Sequence, residues 1–424
     1  MVSTTSTYSP DIVVPDARRV LGGRDFFSLW FSLSVGLMVV QTGALLAPGL
    51  GLAQGWLTIL YGSVAGSLLL AVVGTIGSRT GLSAMSALKL NLGRYGAVVP
   101  AVLNILQLIG WGSFELVVMR DAALLLTDRY LGAGGWLANP VFWTLTFGVL
   151  VTILAVAGPL TFVRRILRRW GIWLLLAACI WLTWNFFSKA DLAALWARPG
   201  DGSLNFAAGF DIAIAMPLSW LPLIADYARF GRGQAGVFGG TAIGYCLGNF
   251  WLMGLGVAYT LAFADASQTN ALLLALAGAG VGIPLLLILL DESENTFAAI
   301  HSAAVSSGIL VRLKVEHLSL AFGVLCTLIA WQVALAEYEH FLLLIGSVFA
   351  PLFGVVLVDH FILRTQHADH VAMTTLRWDT LIAWGCGVAI YHLLAAFWPV
   401  LGATLPALIL AGLLQLVLGR LIAR

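Results

Sequence analysis

Charge is what this sequence has least of. Only 10% of its 424 residues are Asp, Glu, Lys or Arg, while 60% are hydrophobic. A soluble domain carries about a quarter charged residues, so there is too little charge here to clothe a globular surface, and the chain reads as an integral membrane protein. The same shortage excludes a disordered chain and a nucleic-acid binder, whose phosphate contacts require a clustered basic surface. Cysteine is sparse as well. Cys179, Cys246, Cys326 and Cys386 stand in four separate apolar runs without Cys-x-x-Cys spacing, which excludes a secreted disulfide scaffold and fits packing residues. There is no His-Glu-x-x-His, no Gly-x-Ser-x-Gly, no nucleotide-binding loop and no soluble domain to carry one, so an enzyme is not expected. The polar stretch before the first apolar run holds Asp11, Asp16, Arg18, Arg19, Arg24 and Asp25, an order of charged and apolar regions unlike a cleavable signal peptide.

What the sequence does have is long apolar runs. A spanning helix needs roughly 20 apolar residues, and such windows fall at 27–48, 56–78, 97–126, 141–159, 170–188, 207–225, 237–262, 283–310, 317–336, 340–363, 378–398 and 401–419. These predict an all-α protein with twelve spans. With the N-terminus in the cytoplasm, all but Arg120, Arg129, Lys189 and Arg198 of the 22 basic residues fall in cytoplasmic segments, as retention of basic residues on that side requires. Both termini are therefore expected there, in a cell (plasma or inner) membrane. Residues 78–96 are too polar to cross and read as an amphipathic cytoplasmic segment. Residues 267–280 are apolar but short and read as an external or re-entrant helix.

Carriers often bind substrate where helices are interrupted, because unpaired backbone groups are tolerated when they line a cavity. Span 6 contains Pro217 and Pro222 around Ser219 and Trp220, and two prolines disturb two helical turns. Span 1 carries Gly36, Gln41, Thr42, Gly43 and Pro48 at a similar depth. If spans 1 and 6 correspond, the repeat has five helices, and an odd-numbered unit inserts the second time upside down. The alternative is a pair of ordinary kinked helices.

Polar side chains within these windows mark candidate sites. Asn104, Gln107, Trp111 and Glu115 lie along one side of span 3, as their spacing dictates. An ionised acid at the bilayer centre costs about 2.5–3.5 kcal/mol, so this stripe should face a hydrated cavity, where Trp111 can stack on a planar heteroaromatic ring and its polar neighbours read ring N–H and C=O groups. The alternative is hydrogen bonding that joins helices. In span 8, Asp291, Glu294 and Asn295 share a face and Glu292 points nearly opposite Glu294, with His301 two turns along from Glu294. Crowded carboxylates in a low-dielectric site repel one another, so this cluster is expected to take up a cation or a proton, unless the helix ends early and the acids sit in an aqueous vestibule. Gln41, Ser219, Trp220 and Asn295 join the span 3 stripe as candidate substrate-binding residues.

The segments GFDIAIAMPLSWLPLIADYARFGR (209–232) and LLLIGSVFAPLFGVVLVDHFILR (342–364) resemble the sixth and tenth helices of nucleobase–cation symporter family 1. The carrying residues are Asp226, Tyr227, Arg229 and Phe230, then Pro351 to Gly354 with Asp359, His360, Phe361 and Arg364. Residues 79–96, 106–111 and 42–48 are similar to the branch of hydroxymethylpyrimidine transporters linked to thiamine precursor salvage. The resemblance implies a LeuT-type five-plus-five inverted repeat with two further helices: an N-terminal segment 1–25, a first repeat 26–206, a second 207–364, and spans 11 and 12 in 365–424. It implies secondary active uptake of a small heterocycle, no cofactor, and Na+ or H+ as the coupling ion. By position, the family's sodium site falls on Leu290, Ser293 and Glu294 with carbonyls near Leu37 and Val40. Glu294 stands where the family has Thr or Ser, and Ala299 where it often has Asn or Asp, so either a carboxylate holds the cation or a proton replaces it, the latter slightly preferred. Amino-acid or amine uptake on the same fold, a channel and a receptor are the competing readings.

Overall fold

The computed structural model describes residues 12–132, 134–157, 172–263, 282–333, 337–363 and 375–422; the side chains at 282–288, 290, 291 and 422 lie outside that description. The stretch 267–280, Arg364, and the side chains of Leu290 and Asp291 therefore lie outside it too.

Apart from two isolated bridges, the described regular structure is helical. In chain order it runs α1 (Gly23–Leu33), α2 (Leu37–Thr80), α3 (Ala84–Leu92), α4 (Val98–Leu131), α5 (Pro140–Ala157), α6 (Ile172–Lys189), α7 (Leu192–Ala197), α8 (Phe206–Ser219), α9 (Ile224–Ala228), α10 (Gln234–Phe263), α11 (Gly282–Ser307), α12 (Val315–Ile329), α13 (Tyr338–Leu357), α14 (Trp378–Phe397) and α15 (Thr404–Ile422). Among the described residues, nine helical stretches are long and apolar enough to cross a membrane, α8 and α9 counting as one and α2, with 44 residues, covering two of the predicted windows. Large apolar side chains such as Ile153, Trp173, Trp184 and Leu421 face outward, whereas Asn104, Glu115, Glu292 and Glu294 are buried. Polar inside and apolar outside is the arrangement lipid imposes.

Span 1 is broken. α1 stops at Leu33, the chain passes through Ser34 to Gly36, and α2 begins at Leu37. The loop expected between spans 1 and 2 is a kink instead. Gly51 there has a φ of 68°, and a Cβ on it would stand 2.8 Å from Gly200 N and 2.9 Å from Arg198 O, so glycine is needed both for the backbone and for the close approach.

Span 6 is broken too. Asn205 caps α8 by accepting from Ala208 N at 2.9 Å, and the helix ends at Ser219. Pro222 has no N–H for the Leu218 carbonyl; Leu221 N takes that carbonyl at 3.1 Å, tightening the chain into the turn that precedes α9. Pro217 stays helical because α2 offers Gly66 opposite its ring, where a Cβ would come within 2.2 Å.

Residues 78–96 depart from the amphipathic expectation. The α3 helix buries Ala84, Met85, Ser86, Ala87, Leu88, Asn91 and Leu92, on nearly every side. Polar partners explain how: Asp226 of α9 accepts from Ala84 N at 2.9 Å, and Asn91 donates to Asp359 at 2.8 Å. Within α3 these polar groups are spent on the protein, while Arg79 and Arg94 at the ends of the segment are exposed.

Two groups of helices frame the polar stripe, while α13, α14 and α15 pack against one another and α13 against α8. α1, α2 and α10 pack together with α8 against α2, and α4, α5, α11 and α12 pack against one another. The interrupted spans meet the second group where the polar stripe lies.

Candidate substrate cavity

Both groups contribute walls to one cavity, with about 410 Å³ of space between atoms. Leu33, Met38 and Val39 flank the span 1 break; Leu108, Trp111 and Glu115 come from α4; Met216, Ser219, Trp220 and Leu223 surround the span 6 break; Asn295 and Ala299 come from α11. Sequence-predicted Trp111, Glu115, Ser219, Trp220 and Asn295 are thus brought together.

The two tryptophans are held by other rings. Trp111 meets Tyr338 edge-on at 5.7 Å and Phe341 at 5.6 Å, and Trp220 meets Trp30 edge-on at 5.8 Å. Edge contacts fix a ring's orientation. Among the described residues, Trp111 Nε1, Glu115 Oε2 and Asn295 Oδ1 have no hydrogen-bond partner, although buried polar groups normally find one. An acceptor-rich wall beside an indole is the chemistry that recognises a flat ring bearing N–H groups.

Asn104 and Gln107 hold the span 6 break. Gln107 Nε2 donates to Ser219 O at 3.2 Å and to Asn104 Oδ1 at 2.8 Å. Asn104 Nδ2 donates to Pro222 O at 3.4 Å and to Ser306 Oγ at 2.8 Å. These amides satisfy carbonyls that the interruption strips of helical partners. Gln41 is half-buried on α2 and does not line the cavity.

The acids of α11 serve the span 1 break, and the helix runs unbroken past them. Glu292 accepts from Leu37 N at 2.8 Å through one oxygen and from Met38 N at 3.3 Å through the other, capping the start of α2. Gly36 makes room: a Cβ there would lie 2.5 Å from Glu292 Oε2 and 3.0 Å from Asn295 Nδ2. Glu294 Oε2 accepts from Ser32 Oγ at 2.5 Å. Ser293 Oγ has no partner among the described residues, and the Val40 carbonyl lies against Gly256 of α10, where a Cβ would come within 2.0 Å of it. His301 Nδ1 faces Ala155 O of α5 at 3.2 Å. Among the described residues no cluster of three or more His, Cys, Asp or Glu is arranged to hold a metal ion.

Sequence reasoning missed Leu33, Met38, Val39, Leu108, Met216 and Leu223 as lining, since an apolar residue in an apolar run carries no mark. It also missed Tyr338, whose hydroxyl lies 2.6 Å from Thr42 Oγ1. Beyond the span 6 turn, a second space of about 280 Å³ opens among Leu221, Ala225, Ala84, Leu88 and Phe353.

Comparison with known proteins matches this architecture. Residues 13–416 fit the family described as "permease for cytosine/purines, uracil, thiamine, allantoin". The chain is 24% identical to the cytosine permease of Escherichia coli strain K12 over 98% of its own length and 96% of the relative's. Its fold matches that of Mhp1, a nucleobase–cation symporter solved in a closed conformation with bromovinylhydantoin, at a TM-score of 0.81 with 18% identity, covering 98% of this chain and 96% of that one. A Na+-coupled sialic acid symporter in an outward-open state aligns at 0.71 with 12% identity, covering 99% and 92%. The chain belongs to the family of permeases for cytosine, purines, uracil, thiamine and allantoin, the nucleobase–cation symporters, and is a multi-pass membrane transporter, not an enzyme.

Proposed function

We propose that this transporter imports a small planar pyrimidine, hydroxymethylpyrimidine or a cytosine-like base, by alternating access coupled to a cation. The observation that carries the reading is the cavity itself: an oriented indole (Trp111), a carboxyl (Glu115) and an amide (Asn295) converge on one space between two interrupted spans. Ring stacking on Trp111 supplies affinity, Glu115 and Asn295 meet ring N–H and N=C groups, and Trp220 closes the opposite side. Asn104, Gln107 and Ser219 keep the span 6 backbone in its open turn.

The coupling ion is placed at the span 1 break, among Leu37, Val40, Leu290, Asp291, Ser293 and Glu294. A proton is preferred over Na+ there because a carboxyl, Glu294, already receives the Ser32 hydroxyl where a neutral ligand would otherwise serve a metal ion. The two repeats, 26–206 and 207–364, would rock about this centre, and the distribution of basic residues supports a reading with both termini in the cytoplasm.

The test is binding of labelled hydroxymethylpyrimidine and cytosine to purified protein, compared with Trp111→Ala. Loss of stacking worth about 1–3 kcal/mol weakens binding roughly 5- to 150-fold. Unchanged affinity refutes the stacking role, and binding of amino acids or amines in place of pyrimidines refutes the substrate class. Accumulation in cells with and without Na+, at two pH values, separates the ions: uptake that needs Na+ and ignores pH refutes proton coupling.

A further inference from the structure

Glu292 belongs neither to the stacking stripe of α4 nor to the Glu294 face of α11, and its surroundings give it a task of its own. It is fully buried, and its two oxygens accept from the first N–H groups of α2, at Leu37 and Met38. On its other side it lies within hydrogen-bonding reach of the Glu115 carboxyl. Glu115 is 95% buried, since only 5% of it is exposed; it lines the cavity, and its Oε2 has no partner among the described residues.

Two carboxyl groups in hydrogen-bonding reach repel when both are ionised and attract when one carries hydrogen. The groups around them do not relieve that repulsion. Among the described residues, Tyr338 of α13 and Tyr245 of α10 lie in electrostatic reach of Glu115, and Tyr338 also reaches Glu292. Within α11, Glu294 is engaged with Ser32 and His301 with Ala155, and the side chain of Asp291 lies outside the description. Among the described residues no Lys or Arg pairs with either acid: Arg120 is taken by Asp121, and Arg377 by Asp359 and Asp379. The partial positive charge at the start of α2 is the compensation, and it falls on Glu292.

We propose that Glu115 and Glu292 hold a single proton between them, Glu292 as the acid fixed to the reopened start of the first span and Glu115 as the acid facing substrate, making a proton-binding position distinct from the Ser32–Glu294 contact. The inference rests on the cavity being the substrate site, and it adds a specific consequence. A ring nitrogen that reaches Glu115 competes for the shared hydrogen, so substrate arrival is felt at the break of span 1 through one intervening carboxyl. A heterocycle with a basic ring nitrogen beside an N–H suits this pair: the O–H bond of the pair breaks, an N–H bond forms on the ring, and both acids are left ionised, Glu115 facing the charged ring and Glu292 the N–H groups at the start of α2.

The test needs no substrate, so it is independent of which ligand binds. Infrared spectra of the full-length protein in liposomes at neutral pH resolve protonated carboxylic acids from ionised carboxylates. Expected is a protonated-acid component, shifted in D2O, that disappears in both Glu115→Gln and Glu292→Gln and remains in Glu294→Gln. Glu292→Gln can still accept from Leu37 N through its amide oxygen and donate to Glu115 through its amide nitrogen, giving up the longer bond from Met38 N. Protonated-acid intensity that neither Glu115→Gln nor Glu292→Gln reduces below wild type, or that Glu294→Gln alone abolishes, overturns the proposal. Wild-type protein provides a check free of variants: alkaline titration must remove that component, and absence of any protonated-acid band at neutral pH overturns the proposal as well. If the component behaves as expected while pyrimidines fail to bind, the pair stands and the substrate assignment falls.

Discussion

Replacing Gly36 by alanine is the sharpest probe of how α11 holds the break in span 1. The backbone at Gly36 is extended, with a φ of 178°, so alanine meets no conformational penalty. The conflict is spatial: the new methyl would stand 2.5 Å from Glu292 Oε2 and 3.0 Å from Asn295 Nδ2. The carboxylate can swing aside, but only by releasing the Leu37 and Met38 N–H groups, 2.8 and 3.3 Å away. Hydrogen bonds to a charged group contribute about 1.5–3 kcal/mol each, and buried donors left unpaired cost a similar amount. Allowing for non-additivity between two bonds to one group, the total loss is about 2–4 kcal/mol, equivalent to roughly 30- to 700-fold in an equilibrium constant. Substrate affinity measured by calorimetry, together with thermal unfolding of the purified protein, reads this directly. Gly254→Ala is the control, since the nearest atom to a Cβ there is 3.5 Å away. If Gly36→Ala binds and unfolds like wild type while Gly254→Ala does the same, the cap supplied by Glu292 has no energetic weight and the reasoning fails.

Two further outcomes follow from the same geometry. Gln107→Leu removes the donor to Ser219 O and to Asn104 Oδ1; leaving a buried carbonyl unpaired costs about 1–3 kcal/mol, to be seen as weaker binding with a lowered unfolding temperature, and unchanged values for both would exclude the role assigned to it. Arg377→Ala strips Asp359 and Asp379 of the guanidinium that bridges them; an uncompensated buried charge costs about 3–5 kcal/mol, and adding Asp359→Asn should restore part of the loss in the same unfolding assay.

The sequence made the interruptions readable because proline and glycine act locally: Pro222 withholds an N–H from the span 6 helix whatever surrounds it, although Pro217, read together with it, stays helical. The α4 stripe was readable for a similar reason, since a spacing of three to four residues fixes a face before any neighbour is known. Partnership was not. Asn104 and Gln107 carry the same amide chemistry as Asn295, yet they serve the span 6 backbone while Asn295 faces the cavity, a distinction set by helices far apart in the chain. Glu292 was judged by its angle from Glu294, and that angle turned out to aim it at a helix start contributed by span 1. The buried position of α3 escaped because its polar groups answer to Asp226 and Asp359, each more than a hundred positions away.

The four-residue turn between α8 and α9 has one more implication. Leu223 lines the first space and Leu221, two residues before it, lines the second, so a single turn contributes to both. Peptide groups in such a turn can rotate without unwinding a helix, and the ladder of amides from Asn104 and Gln107 decides how readily they do. A rearrangement of this one turn would therefore reshape both spaces at once.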